Sequence, residues 1–215
     1  RRILDVVETR EKKPVREHLK QYEQSVQAVC IDLNEAFRQA VRQALPEAEI
    51  VADKFHVIRL ANYALNAVRK RVRRQIKGDR THPIFRSRSV LLRNFEDLSS
   101  SQRKRLSQLL ALSPELRAAY AAKERLRRWY NTSTTENSSH RLAQLISWLL
   151  ASGVPELKHL ATTFLRWQRE LANYHRYRIS NSITEGLNNK IKVIKRQAYG
   201  FRSFENFRRK ILLAA

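Results

Sequence analysis

The stretch SVQAVCIDLNEAFRQAVRQALPEAEIVADKFH, residues 25–56, decides the architecture. Ser25 to Ile31 has the apolar, branched composition of a strand and runs directly into Asp32. Asn34 can cap the following helix, in which Phe37, Ala40, Val41 and Leu45 keep helical spacing until Pro46 stops it. Glu49 to Ala52 (EIVA) is another short strand, ending at Asp53. Strand, helix and strand in so short a span imply a parallel crossover, because antiparallel strands need only a tight turn. Both strands then end in an aspartate on one edge of a small sheet, where α/β folds place their chemistry.

Upstream, Ile3 to Val7 (ILDVV) reads as a further strand, and the polar stretch from Pro14 to Gln24 suits a surface helix. Downstream the pattern turns helical. Phe55, Ile58, Ala61, Ala64, Leu65 and Val68 form an apolar stripe that continues into the basic run 68–74, and a polar break follows at 78–83. Helices are expected at 101–112, 115–130, 139–151, 156–174, 183–196 and 203–213, punctuated by Pro114, Gly153 to Pro155 and Gly200. Trp129, Trp148 and Trp167 recur every 19 residues without a surrounding repeat, and read as core anchors of a helical bundle.

The 215 residues carry a formal charge of +23, unevenly distributed. Residues 1–60 hold 11 Lys/Arg and 10 Asp/Glu, whereas 61–215 hold 32 and 10. Such a surplus points to a polyanionic partner, nucleic acid first and a membrane surface second. Cys30 is the single cysteine, which excludes an internal disulfide framework and a cysteine-only zinc site. No apolar run is long enough to span a membrane, and four glycines are too few for a glycine-rich phosphate loop. With no methionine, the chain is expected to be a segment of a longer protein.

Three places can carry chemistry. Asp32, on the rigid end of a strand, suits a hard cation such as Mg²⁺, or else caps the next helix. Asp53-Lys-Phe-His56 is a D-x-x-H, read either as a cap with a histidine bonded to it or as a metal site. Glu185 lies in SNSITEGLNNKIK (180–192), where Ser182 and Glu185 have capping-box spacing. Helical geometry also sets Glu185, Asn188, Asn189, Lys192 and Arg196 along one polar stripe with Ile191 and Ile194 turned away, an arrangement that can hold a metal and grip phosphates.

Asp53-Lys-Phe-His56, the Trp167 segment FLRWQREL, and residues 180–196 followed by AYGFRSFENFR (198–208) occur in that order. Together they closely resemble the catalytic region of the ISL-three group of bacterial insertion-sequence transposases. The resemblance implies a DDE-type enzyme on a ribonuclease-H-like α/β fold, predominantly helical, lacking its first strands and carrying a large all-α insertion. It divides the chain into a partial core at 1–59, a helical insertion at 60–175 and C-terminal helices at 176–215 that return to the core. It implies a two-metal Mg²⁺ site, incomplete here, with Asp32 and Glu185 as catalytic metal ligands, Asp53 and His56 as accessory residues, and Asp53 in place of Asp32 as the alternative register. The implied partner is double-stranded DNA, both transposon ends and target, bound by a homo-oligomer in the bacterial cytoplasm at the nucleoid. Arg69, Lys70, Arg71, Arg73, Arg74, Asn188, Asn189, Lys192, Lys195 and Arg196 are the expected DNA contacts. The resemblance also implies a first catalytic aspartate on a first strand that is not among these residues, so the chain alone is expected to be inactive. A non-enzymatic basic helical protein that binds DNA or RNA, derived from such an enzyme, is the alternative.

Overall fold

A computed structural model describes residues 3–9, 11–76 and 81–214. In chain order, helix α1 (Lys12–Lys20) precedes strand β1 (Ala28–Ile31), helix α2 (Glu35–Ala44) and strand β2 (Glu49–Ala52). The strands pair in parallel with Ala28 opposite Glu49 and Ile31 opposite Ala52, so the crossover unit forms where the sequence places it. Asn34 caps α2, its side chain accepting the Phe37 amide at 3.1 Å, and the helix buries Ala40, Val41 and Ala44. Among the described residues the sheet has only these two strands, and the protein is predominantly helical.

Ile3 to Val7 is not a strand: these residues have no regular backbone structure. Their sequence places Asp5 mid-run, and its carboxylate accepts from the Arg208 guanidinium at 2.6 Å and faces the His18 ring at 3.6 Å. Leu4 and Val7 stay exposed, so no apolar face is buried that could repay a ladder. The strand expected from Ser25 pairs only over its last four residues.

From β2 the chain enters the long helix α3 (Lys54–Gln75), then α4 (Arg88–Leu92), α5 (Ser100–Ala111), α6 (Pro114–Thr132), α7 (Ser138–Ala151), α8 (Pro155–Arg166) and α9 (Gln168–Tyr177). The expected polar break at 78–83 lies partly outside the described residues; 81–86 form turns and a bend. The helix expected over 156–174 is two helices. Trp167, at φ −112° and ψ 19°, ends α8 and begins α9, and burying its indole at this corner redirects the chain. Trp129 is likewise a core anchor, its indole N–H donating to the Ser138 carbonyl at 2.9 Å. Trp148 is not: it is half-buried, with the Arg125 guanidinium 4.3 Å from its ring. Two last helices, α10 (Ser182–Gln197) and α11 (Phe204–Ala214), complete the fold, joined across Gly200 at φ 122°.

The chain forms two compact units, Arg1–Phe55 with Ile179–Ala215, and His56–Arg178. The first holds the sheet, α1, α2, α10 and α11. The second is entirely helical around a core that includes Leu116, Leu126, Leu142, Leu149, Leu157, Phe164 and Leu171. No described helix is long and apolar enough to cross a membrane.

Candidate metal centre

Parallel pairing dictates the site. Ile31 and Ala52 are register partners, so the residues that follow them, Asp32 and Asp53, leave the sheet side by side. Their backbones are about 4.8 Å apart at the strand ends, and the Asp53 amide still donates to the Ile31 carbonyl at 2.9 Å. Asp53 is buried and Asp32 half-buried. His56 sits three residues beyond Asp53 on the first turn of α3, a spacing that returns its ring to the same side of the helix. One carboxylate oxygen each from Asp32 and Asp53 and one ring nitrogen of His56 lie within 4.8 Å of one another.

Asn181 ties this cluster to the start of α10. Its backbone N–H donates to Asp53 Oδ1 at 3.0 Å and its side-chain amide donates to Asp32 Oδ1 at 3.1 Å. The open amides at the N-terminus of α10 thus begin beside two carboxylates, the end of a helix that favours negative charge. Negative potential is felt nearby: burial first, and then the charges of Asp53 and Asp32, push the Cys30 thiol up to about 12.

Two carboxylates and an imidazole that converge at these distances are a donor set for a hard or borderline divalent cation, with oxygens in the majority. Comparison with known proteins identifies the family. A family profile described as "Transposase", of the ISL-three type, matches residues 1–211. The chain belongs to the ISL-three transposase family. It is 32% identical to the transposase for insertion sequence element IS1001 of Bordetella parapertussis, over 89% of this chain and 48% of that protein. It is 28% identical to the transposase for insertion sequence element IS1557 of Mycobacterium tuberculosis, over 81% of this chain and 44% of that protein. The chain therefore spans about half the length of the curated relatives it matches. No solved structure matches it.

Of the residues expected in the transposase site, the structure gathers Asp32, Asp53 and His56, and leaves Glu185 outside that cluster. Glu185 is exposed on α10, its amide bonded to the Asn181 carbonyl at 2.8 Å, one turn from the residue that grips both aspartates. The capping box does not form. The N-cap is Asn181, which puts Ser182 inside the helix and Glu185 one position too far along. Among the described residues the Glu185 carboxylate has no hydrogen-bond or ion-pair partner. Asn188, Asn189, Lys192, Lys195 and Arg196 are exposed beside it, while Ile191 and Ile194 are half-buried, as the polar stripe requires.

The basic run 69–74 divides. Arg69 is buried, donating to Asn66 Oδ1 at 2.9 Å, and burial lowers its pKa. Arg71 binds both oxygens of Glu156 at 2.9 Å and Glu115 Oε2 at 2.6 Å. These two guanidiniums serve the helical unit itself. Lys70, Arg73 and Arg74 remain exposed, Arg73 over the Phe85 ring at 5.6 Å. Asn181 was not expected from the sequence. Its signal is a polar residue directly before a helix, and nothing in the sequence links it to aspartates 149 and 128 residues away.

Proposed function

We propose that this chain contributes the metal-binding carboxylates of a DDE-type transposase that cleaves and joins double-stranded DNA, on a core of the ribonuclease-H-like kind. The observation that supports this best is the convergence of Asp32, Asp53 and His56 at adjacent strand ends. Asp32 and Asp53 would hold a divalent cation, normally Mg²⁺, with His56 beside them, and Glu185 would add the third carboxylate from α10. Such a cation, when bound, polarises the scissile phosphate and lowers the pKa of the attacking water or 3′-hydroxyl. Asn181, bonded to Oδ1 of both aspartates, would orient the pair as an outer partner that positions metal ligands. The exposed amides and cations of α10 hold phosphates on either side of the scissile bond. The helical unit 56–178 reads as an insertion into that core, and the assembled enzyme as a homo-oligomer on DNA in the bacterial cytoplasm.

The test uses a full-length transposase carrying this segment, with labelled transposon-end DNA and Mg²⁺ or Mn²⁺. Asp32→Asn, Asp53→Asn and Glu185→Gln each reduce cleavage to background while DNA binding in EDTA stays at the wild-type level. Undiminished cleavage by Asp32→Asn and Asp53→Asn would overturn the proposal and favour a non-enzymatic DNA-binding role.

A further inference from the structure

We propose a second nucleic-acid contact, away from the carboxylates: a groove between α6 and α7 that seats the phosphate backbone of duplex DNA without reading its sequence. This deepens the DNA-acting function proposed above and rests on it. The groove has a volume of about 480 Å³, with buried Trp129 and Leu145 among the residues of its floor. Arg125 and Arg128 rise one helical turn apart on α6, and Arg141 faces them from α7. The groove also contains one carboxylate, Glu124, already matched by two cations: Oε1 meets Lys123 Nζ at 2.8 Å and Oε2 meets Arg127 at 2.8 Å. Among the described residues Arg125, Arg128 and Arg141 form no ion pair, so three guanidiniums face the groove uncompensated.

Two of the three are held in position. Arg141 donates to Thr132 Oγ1 at 2.9 Å, and that hydroxyl in turn donates to the Arg128 carbonyl at 2.9 Å. Arg125 lies over the Trp148 ring at 4.3 Å. Guanidiniums fixed in this way lose little side-chain entropy when they bind, and their planar forks match phosphate oxygens in pairs. The same stacking decides between backbone and base. Arg125 covers one face of Trp148, and Trp129 in the groove floor is buried, so neither of these faces is offered to a nucleobase as single-strand binders require. A row of phosphates fits an open cationic groove that offers no stacking platform.

If each arginine neutralises one phosphate, three contacts carry a salt slope of about −2.7, and removing them costs roughly 500-fold in affinity at 0.1 M salt. The experiment compares the wild-type chain with the triple variant Arg125→Gln, Arg128→Gln, Arg141→Gln on duplexes of two unrelated sequences, in EDTA, across a salt series. Circular dichroism melts check folding, and the single variant Arg128→Gln, at an exposed position whose side chain makes no hydrogen bond or ion pair among the described residues, keeps the test decisive if the triple variant is unstable. The expected result is a loss of equal size on both sequences, with the slope flattened by about 2.7 for the triple variant and about 1 for Arg128→Gln. Wild-type binding with unchanged variants would overturn the groove and leave the catalytic proposal standing. Loss confined to one sequence, or to single-stranded probes, would also overturn the groove. Failure of the wild-type chain to bind duplex DNA would overturn the groove, whereas the catalytic proposal is decided separately by cleavage with the full-length enzyme.

Discussion

Arg71 offers the sharpest test of the division drawn within the basic run. Replacing it by Met keeps the length and apolar stem of the side chain and removes three charge-assisted hydrogen bonds, at 2.6, 2.9 and 2.9 Å, that join α3 to Glu115 of α6 and Glu156 of α8. Fully buried, each such bond contributes about 1.5–3 kcal/mol. Here the side chains are 33%, 39% and 20% exposed, so solvent screens the set substantially. We take about 2–3 kcal/mol in total, a discounted sum. For a chain of this length that corresponds to a fall in Tm of roughly 5–10 °C. Arg74→Met, at an exposed position, serves as control with little change. The pH dependence has a definite sign. The hydrogen bond from Arg71 holds the Glu156 carboxyl below its ordinary 4.5, so the stabilisation is complete above that value and lost as pH falls through the lowered folded pKa. The gap between wild type and Arg71→Met therefore closes in acid. Thermal melts followed by circular dichroism at pH 7 and pH 3 measure it. An unchanged Tm at pH 7, together with a DNA salt slope flattened by about 1, would refute the reasoning and return Arg71 to the DNA surface.

Asn181→Ala removes the amide that orients Asp32, and Mn²⁺ affinity measured by calorimetry is expected to fall about 10-fold, the lower end for a residue that orients metal ligands; unchanged affinity would remove Asn181 from that role. Lys123 is buried, donating to the carbonyls of Leu91 at 3.1 Å and Arg93 at 2.6 Å, and desolvation lowers its pKa. The unfolded chain then binds more protons between the folded pKa and 10.5, so the stability of wild type relative to Lys123→Met rises as pH approaches 10.5; denaturant midpoints across this range check it, and a flat difference would contradict it. Gly200 has φ 122° with open space around its Cα, so Gly200→Ala is destabilising by about 1–3 kcal/mol through the backbone alone, read as a lowered denaturation midpoint.

What could be read in the sequence follows from how local the signal is. β1, α2 and β2 lie within 25 residues, each bounded by its own cap or breaker, and the register that pairs Ala28 with Glu49 needs nothing from elsewhere in the chain. Asp32, Asp53 and His56 were therefore identifiable as neighbours of a strand edge. The composition of Ile3–Val7 was as strand-like as that of β1. It fails because strand formation depends on a partner, and Asp5 is taken instead by Arg208 at the far end of the chain. Likewise Arg69 and Arg71 look the same as Arg73 and Arg74 in a basic run, and only the helices packed against α3 separate inward from outward guanidiniums. Trp167 breaks a helix whose local propensity is continuous, because the corner buries a large ring. The α6–α7 groove had no sequence signature, since Arg125 and Arg141 meet only through tertiary packing.

The central claim, that Asp32, Asp53 and His56 bind a divalent cation, is tested most directly by titrating Mn²⁺ into the wild-type chain and into Asp53→Asn, a near-isosteric change, by isothermal calorimetry with folding checked by circular dichroism. The account predicts saturable binding to the wild type and an affinity at least about 100-fold weaker in the variant. Equal binding by the two folded proteins would contradict it.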